Sequence, residues 1–137
     1  MKKTLSPATM MEHEHEKRIV MVCVTRQRTC ARLVDRGEEI ARERGLPLHI
    51  VHAVRTGENF LGNAIEGEAL EYLFTAAQLA GGSLAMLRAD DVEGTLEVYA
   101  KAHEASVLVL GASPDTSGDT FVTRMQRRLP GMRVEIV

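Results

Sequence analysis

The sequence predicts a single α/β domain in which helices cover both faces of a parallel sheet. Short apolar runs rich in Val, Leu and Ile alternate with longer amphipathic stretches from residue 18 to the end of the chain. Runs that are apolar throughout are typical of strands buried on both faces. Strands that alternate with helices pair in parallel through right-handed crossovers, which places helices on both faces of the sheet. The length of 137 residues suits one such domain.

Five strands follow a polar N-terminal arm. Residues 1–17 show no sustained hydrophobic period and are predicted to form a flexible arm, so the domain is expected at 18–137. The predicted strands are 18–24, 48–54, 83–88, 106–110 and 132–137. Each is short and rich in β-branched or other aliphatic residues.

Four helices are predicted between the strands. Apolar residues recur at helical spacing within 33–41, 61–80, 92–103 and 121–129. Gly45 and the pair Gly81-Gly82 supply left-handed helix ends, and Pro130 breaks the last helix. Asp90 or Asp91 is expected to cap the third helix.

Composition and charge exclude several classes of partner. The formal net charge is −2, aromatic residues make up 4% and Trp is absent, so neither a basic field nor a base-stacking surface for nucleic acid is expected. No apolar run is long enough to cross a bilayer. With two cysteines and no secretion signal in the sequence, we expect a cytoplasmic protein without membrane partners.

The loops after the first and fourth strands form the predicted ligand site. In parallel α/β sheets ligands bind outside the carboxyl ends of the strands, where the strand order reverses. Gly111 begins the loop after the fourth strand and allows a ligand to approach the backbone closely. The following helix would present free N–H groups beside Gly118, and the hydroxyls of Ser113 and Thr120 add donors.

The turn after the first strand adds Thr25, Arg26 and Arg28 to the candidate site. Arginines near a helix N-terminus are disfavoured by about 0.3–1 kcal/mol each, so their presence indicates either a bound anion or side chains extended into water. Arginine can grip a phosphate with two parallel donors. Val54, at the end of the second strand, is the candidate wall of a base pocket.

Structural alternatives stay open for these residues. The loop after the fourth strand could be a plain connection in which Ser117 or Asp119 caps the next helix. Both arginines could be solvated. Cys30, near a helix start and among arginines, is a candidate for a reactive thiol with a lowered pKa, whereas Cys23 is expected in the core.

Catalytic and metal motifs are absent from the sequence. It contains no Gly-x-Ser-x-Gly elbow, P-loop or HExxH, so no conventional enzyme and no catalytic residues are predicted. His13 and His15 offer too few ligands for a closed metal site. His49 and His52 lie three apart in one strand and therefore face opposite sides of the sheet, which favours buried, hydrogen-bonded imidazoles.

Four segments resemble universal stress proteins. LHIVHAV is similar to that family's second strand, and DVEGTLEVYAKAHEASVLVLGAS to its third helix and fourth strand. CVTRQRTCARLVDRGEEIA and RRLPGMRVEIV are closer to the universal-stress-type domain of potassium-responsive sensor histidine kinases. The resemblance covers residues 18–137 and implies a three-layer sandwich of the HUP or Rossmann-like type, with a doubly wound parallel sheet in the order 3-2-1-4-5.

The chain departs from the ATP-binding branch of that family. That branch carries Gly-x-x-Gly, nine residues and Gly-Ser/Thr after the fourth strand, but here Pro114 stands three residues after Gly111. The family's Asp at the end of the first strand is replaced by Thr25. We therefore expect no ATP site of the family's familiar kind, although ATP or another adenine nucleotide stays the candidate ligand that the resemblance implies.

The resemblance also implies a homodimer and a regulatory role. The last strand would form a sheet edge open to a second copy, and the predicted contacts are Arg133, Val134, Glu135 and Ile136. The leading hypothesis is a stress-response regulator that senses a nucleotide, an adenine-containing second messenger such as cyclic di-AMP among them, or another phosphorylated ligand. The alternatives are a ligand-free adaptor and, last, a weak nucleotide hydrolase.

Overall fold

The computed structural model describes residues 17–112 and 118–137, in which strands and helices alternate as the sequence predicts. The strands are β1 (Val20–Val24), β2 (Leu48–Arg55), β3 (Ser83–Ala89), β4 (Val107–Leu110) and β5 (Arg133–Ile136). The helices are α1 (Gln27–Arg44), α2 (Glu66–Ala80), α3 (Val92–Ala102) and α4 (Phe121–Arg128). A 3-10 turn at Phe60–Gly62 precedes α2.

All five strands pair in parallel in one sheet with the order β3-β2-β1-β4-β5. This confirms the predicted fold class and strand order. The predicted strand boundaries are correct within two residues: β1 begins at Val20 rather than at Arg18, whose φ of 59° is incompatible with a strand. The second helix begins at Glu66 rather than at Leu61, which lies in the 3-10 turn. The first helix begins well before its first periodic residue, at Gln27.

Two apolar layers hold the helices on the sheet. β1 and β4 are buried along their whole length, as the unbroken apolar runs predict. Alternate residues of the strands face α1 and α2 on one side, where Val22, Leu33 and Leu73 belong to one cluster. The others face α3 and α4, where Met21, Leu96 and Met125 belong to a second cluster.

Close packing fixes α1 against β1. Gly37 lies where a Cβ atom would overlap Cγ2 of Val22 and come within 3.2 Å of Leu48. A helix with a larger residue at this position would have to move off the sheet. This close packing therefore fixes where α1 lies relative to the strand that precedes it.

The strand order reverses between β1 and β4, whose carboxyl ends lie at the same edge of the sheet. The register aligns Val22 with Val109, so the residues that follow these two strands lie at the same edge of the sheet. The first two helices cover one face and the last two cover the other, which is the arrangement that places a binding crevice at this point. In the described part of the chain, no helix is both long and apolar enough to cross a membrane.

Candidate functional site

A cavity of about 490 Å³ opens at the carboxyl ends of β1 and β2. Thr25 and Val54, two of the candidate nucleotide-binding residues, both line it, and Val54 is buried whereas Thr25 is exposed. The remaining lining residues come from β2, the loop after it and the starts of α3 and α4, and they are His52, Ala53, Arg55, Glu58, Asp90, Asp91, Val92, Glu93 and Phe121.

α1 begins two residues after Thr25, and its N-terminus is electropositive. Arg26 is the N-cap residue, but its side chain makes no capping hydrogen bond, and the first turn contains no acidic residue. Arg26 and Arg28 are both exposed, and within the described residues neither forms an ion pair. The unsatisfied N–H groups of the first turn and two guanidinium groups thus share one end of the helix.

Gly111 follows β4 directly and lies at the same sheet edge as the end of β1. A Cβ atom on Gly111 would lie 3.8 and 3.9 Å from the two methyl groups of Leu33, which is ordinary van der Waals contact. The packing of the described chain therefore does not require glycine here. Ser113 and Pro114, which also belong to the predicted loop site, lie outside the described residues.

Thr120, rather than Asp119, caps α4. Its hydroxyl accepts from the backbone N–H of Thr123 at 3.2 Å, while the Thr123 hydroxyl oxygen accepts from the backbone N–H of Thr120 at 2.8 Å. The predicted alternative cap Asp119 is wrong because its carboxylate instead pairs with Arg127 at 2.7 Å, which lowers its pKa. Ser117 lies outside the described residues. Gly118 has a φ of 103°, a conformation that suits glycine.

Carboxylates outnumber cations in the cavity. Four acidic residues line it, against Arg55 alone. Two of the four are partly neutralised by α4: Glu93 pairs with Arg124 at 2.7 Å, and Asp91 lies 4.0 Å from Arg128. The other two, Glu58 and Asp90, are exposed and form no ion pair within the described residues. A highly charged polyphosphate inside the cavity would meet this negative charge.

Asp91 has a structural role as well. Its Oδ1 accepts from the backbone N–H of Gly94 at 3.0 Å, so it is the N-cap of α3 that the sequence predicted as one of two candidates. The neighbouring Asp90 does not cap the helix and remains exposed at the cavity. The acidic lining is thus partly a consequence of how α3 begins.

His52 joins the end of β1 to the 3-10 turn. Its Nδ1 lies 2.8 Å from the carbonyl oxygen of Val24, and its Nε2 accepts from the backbone N–H of Leu61 at 2.8 Å. Because a carbonyl can only accept, the proton is on Nδ1 and the imidazole is neutral. Leu61 has a φ of 56°, which is strained for leucine. Burial lowers the pKa of His52, which keeps the acceptor in place.

His52 was predicted to be a buried imidazole but was not among the candidate site residues. The signal that was available is its position two residues before Val54, near the carboxyl end of a strand. His49 faces the other side of the sheet, as predicted, and its Nδ1 lies 2.7 Å from the hydroxyl of Tyr99. His103 caps the end of α3 and is buried.

The predicted reactivity of Cys30 is wrong. Cys30 lies in the core between α1 and the sheet, and burial raises its pKa, with a smaller opposing effect from a hydrogen bond to Tyr72. The first turn of α1 turns Cys30 inward while Arg28 points outward. Cys23 is in the core as predicted, and burial raises its pKa to about 12.

β5 is an edge strand, and its charges are engaged within the chain. Glu135 pairs with Arg36 of α1 at 2.9 Å and lies 3.8 Å from Arg133. Val134 is partly buried against the core, whereas Ile136 is 48% exposed. A dimer through these residues stays a prediction. Across the described ranges, no group of three or more His, Cys, Asp or Glu side chains is placed to hold a metal ion.

Solved structures with the same architecture include a universal stress protein from Archaeoglobus fulgidus. It is 18% identical, with a TM-score of 0.68 over 93% of this chain and 98% of its own. The fold is that of the universal stress proteins. No family model matches the sequence, and no curated protein matches it.

Two structures with this fold contain nucleotides. A universal stress protein in complex with cAMP is 21% identical, with a TM-score of 0.68 over 88% of this chain and 96% of its own. The universal stress protein from Archaeoglobus fulgidus in complex with dAMP is 20% identical, with a TM-score of 0.59 over 87% and 96%. At this level of identity, the likeness establishes the fold of this chain.

Proposed function

We propose that this chain is a regulatory protein of the universal stress type that binds a mononucleotide at the carboxyl ends of β1, β2 and β4. The observation that carries the proposal is the N-terminus of α1, which has no side-chain cap and carries Arg26 and Arg28 without ion-pair partners in the described chain. This helix end adjoins Thr25, which lines the cavity. The cAMP and dAMP complexes of proteins with the same fold support the choice of ligand.

The proposed site has an apolar part and a cationic part. Val54 and Phe121 give the cavity apolar walls that suit the face of a nucleobase. The N–H groups and arginines at the start of α1 suit a phosphate, since backbone donors and guanidinium groups both favour an anion there. Gly111 follows the neighbouring strand, β4, at the same sheet edge.

The carboxylates favour a ligand with few negative charges. Glu58 and Asp90 form no ion pair within the described residues, so each added phosphate group near them would meet uncompensated repulsion. We therefore expect cAMP and AMP to bind more tightly than ATP. This order agrees with Pro114, which stands where the ATP-binding branch has a phosphate-binding glycine.

Thermal unfolding with cAMP, AMP and ATP tests the proposal. A ligand at about 100 times its Kd stabilises the folded state by about 2.7 kcal/mol, which gives a readily measured rise in Tm. We expect the rise with cAMP or AMP to be lost in the double variant Arg26→Ala/Arg28→Ala and retained in Arg32→Ala, an exposed arginine on the same helix. If no nucleotide raises the Tm, or if the double variant responds like the wild type, the proposed site is refuted.

A ligand-free adaptor is the second candidate. It is favoured by Thr120, whose hydroxyl is already used to cap α4, and by the acidic lining of the cavity. We propose that the chain is not an enzyme, and a weak nucleotide hydrolase is the least supported function. Release of phosphate from ATP above a buffer control would overturn that part of the proposal.

We also propose that the protein acts in the cytoplasm as a homodimer. Both cysteines are free and buried, which suits a reducing compartment. The sheet has two edges at which a second copy can add, β3 and β5. A closer relationship to the domain of potassium-responsive sensor kinases stays a prediction from the first and last segments of the sequence.

A further inference from the structure

The loop between β2 and α2, residues 56–65, contributes to two cavities. Glu58 of this loop lines the cavity at the carboxyl ends of β1 and β2. Phe60, two residues later, lines a groove of about 620 Å³ between α2 and β3. A change in the conformation of the loop would therefore alter the candidate site and the groove together.

His52 attaches the middle of this loop to the end of β1. The backbone N–H of Leu61 donates to its Nε2 at 2.8 Å, and its Nδ1 donates to the carbonyl oxygen of Val24 at 2.8 Å. Val24 is the last residue of β1 and directly precedes Thr25, which lines the cavity. One buried imidazole thus connects the strand end at the candidate site with the loop that carries Glu58.

Arg88 holds the same loop from β3. Its Nε donates to the carbonyl oxygen of Glu58 at 3.2 Å, and its guanidinium carbon lies 4.2 Å from the centre of the Phe60 ring. A guanidinium group keeps its charge over the whole pH range in which proteins are folded. Among the described contacts between the loop and the rest of the chain, the hydrogen bond to His52 is the one whose acceptor titrates near neutral pH.

Leu61 adopts a backbone conformation that release of the loop would relax. Its φ of 56° and ψ of 17° lie in the left-handed region, which residues with a Cβ atom rarely occupy. The N–H of this same residue donates to His52, so the hydrogen bond offsets the strain in the attached loop. Without the hydrogen bond, the strain favours a different conformation of the loop.

The surroundings of His52 are rich in carboxylates. Among the described residues, the charged groups that share its cavity are Arg55, Glu58, Asp90, Asp91 and Glu93. On the side of the Phe60 ring, whose centre lies 5.7 Å from that of the imidazole, β3 supplies Arg88, which pairs with Glu66 of α2. α1 supplies Arg26, its N-cap residue. The excess of carboxylates in the cavity stabilises an imidazolium there.

We propose that His52 is a pH-sensitive switch, in which protonation at Nε2 releases the loop 56–65 from the sheet and makes the candidate site more cationic. An imidazolium carries an N–H on both nitrogens, so Nε2 can no longer accept from Leu61. Release withdraws the Glu58 carboxylate from the cavity and leaves a positive charge at the end of β1. Both changes favour an anionic ligand, and this part of the inference rests on the nucleotide site proposed above.

The pH range of the switch follows from the environment of the imidazole. Burial lowers the pKa of His52 in the attached loop, and the hydrogen bond to Val24 opposes this effect. In the released loop the imidazole would regain water and a pKa of about 6.5, the ordinary value for histidine. Because the attached form has the lower pKa, it is fully favoured above about pH 6.5 and loses population as the pH falls. One pH unit below that value, the equilibrium shifts towards the released form by up to about tenfold.

Amide hydrogen exchange of the full chain without nucleotide tests the switch. After correction for the intrinsic exchange rate, we expect the protection of the Leu61 amide to fall about tenfold between about pH 7.5 and 5.5, while the amides of the buried strands β1 and β4 keep their protection. His52→Gln is expected to abolish this pH dependence. The matched control His103→Gln, at another buried histidine, is expected to preserve it.

A measurement on the wild type keeps the test usable if a variant does not fold. The ¹⁵N chemical shifts of the His52 imidazole should report the Nδ1–H tautomer at high pH and should titrate with the same midpoint as the release of Leu61. Different midpoints overturn the switch. Protection at Leu61 that does not change with pH overturns it too, as does a loss of protection that β1 and β4 share, because the whole domain would then unfold.

Titrations with cAMP test the link to the candidate site. The phosphodiester of cAMP keeps one negative charge over this pH range, so a change in affinity reports on the protein. We expect the Kd for cAMP to fall about fivefold between about pH 7.5 and 5.5 in the wild type and to stay constant in His52→Gln. A Kd that is independent of pH in the wild type overturns this link. If Leu61 is released in acid but no nucleotide binds at any pH, the release of the loop is confirmed and the proposed nucleotide site is refuted.

Discussion

The start of α1 offers a perturbation whose effects on stability and on binding have opposite signs. Arg26 is an N-cap residue in an extended conformation, φ −134° and ψ 150°, without a capping side chain. Thr29 stands three residues later, so Arg26→Thr would give α1 the Thr-x-x-Thr arrangement that forms the reciprocal cap of α4. The substitution adds a cap and removes a cation from the positive end of the helix.

The expected gain in stability follows from these two changes. An N-cap hydroxyl contributes about 1 kcal/mol, and removal of an exposed cation from a helix N-terminus adds about 0.3 kcal/mol. For a domain of this size, about 1 kcal/mol corresponds to a rise in Tm of roughly 3–4 °C. We therefore expect Arg26→Thr to melt about 4 °C higher than the wild type in the absence of ligand.

The same variant is expected to lose affinity for the nucleotide. A hydrogen bond to a charged group contributes about 1.5–3 kcal/mol, so its loss weakens binding at least tenfold and reduces the ligand-induced rise in Tm by about 5 °C. Scanning calorimetry with and without cAMP measures both effects. Arg32→Thr is the matched control, because it removes one exposed charge from the interior of the same helix and should affect neither quantity by more than a degree or two. An Arg26→Thr variant that is no more stable than the wild type would contradict the expected cap, and one that responds fully to cAMP would contradict a phosphate contact at Arg26.

Two further predictions concern His52 and Gly37. Burial lowers the pKa of His52, so as the pH falls below about 6.5 the unfolded chain takes up a proton before the folded one, and the stabilising contribution of His52 is lost. His52→Gln, which does not titrate, is expected to be about 1–3 kcal/mol less stable than the wild type at pH 7.5. Urea titrations should show that this difference in the free energy of unfolding shrinks towards pH 5. A difference that does not change with pH would contradict the hydrogen bonds of a neutral His52 to Val24 and Leu61. Gly37→Ala gains about 1 kcal/mol of helix propensity, but its Cβ atom would overlap Val22. We therefore expect the free energy of unfolding to fall by about 1 kcal/mol. A rise in the free energy of unfolding would show that α1 can shift away from the sheet.

Much of the fold was predictable because its signals are local. The unbroken apolar runs of β1 and β4 indicated strands buried on both faces, and these are the two fully buried central strands. Gly45 was expected to end the first helix, and it is the left-handed C-cap residue with a φ of 65°. The position of Thr25 and Val54 at one cavity also follows from the sequence, because parallel strands bring their carboxyl ends to one edge.

Predictions that depended on the direction of a side chain were less secure. Cys30 was a candidate reactive thiol because its neighbours in the sequence are arginines, but the helix turns the thiol into the core. Asp119 was one of two alternative caps for α4 because of its residue type, but its carboxylate pairs instead with Arg127, eight residues further along the chain. For both residues, the contacts that determine the role of the side chain come from another helical turn or another element.

Local signals in the sequence predict the alternation of strands and helices, the parallel sheet and the end of the sheet where a ligand would bind, since hydrophobic period and helix-end residues act over a few positions of the chain. The charge of the cavity could not be predicted in this way, because Asp90, Glu58 and Glu93 converge there from separate elements. The role of His52 and the partial exposure of β3 likewise depend on which surfaces the folded chain brings together and which it leaves uncovered.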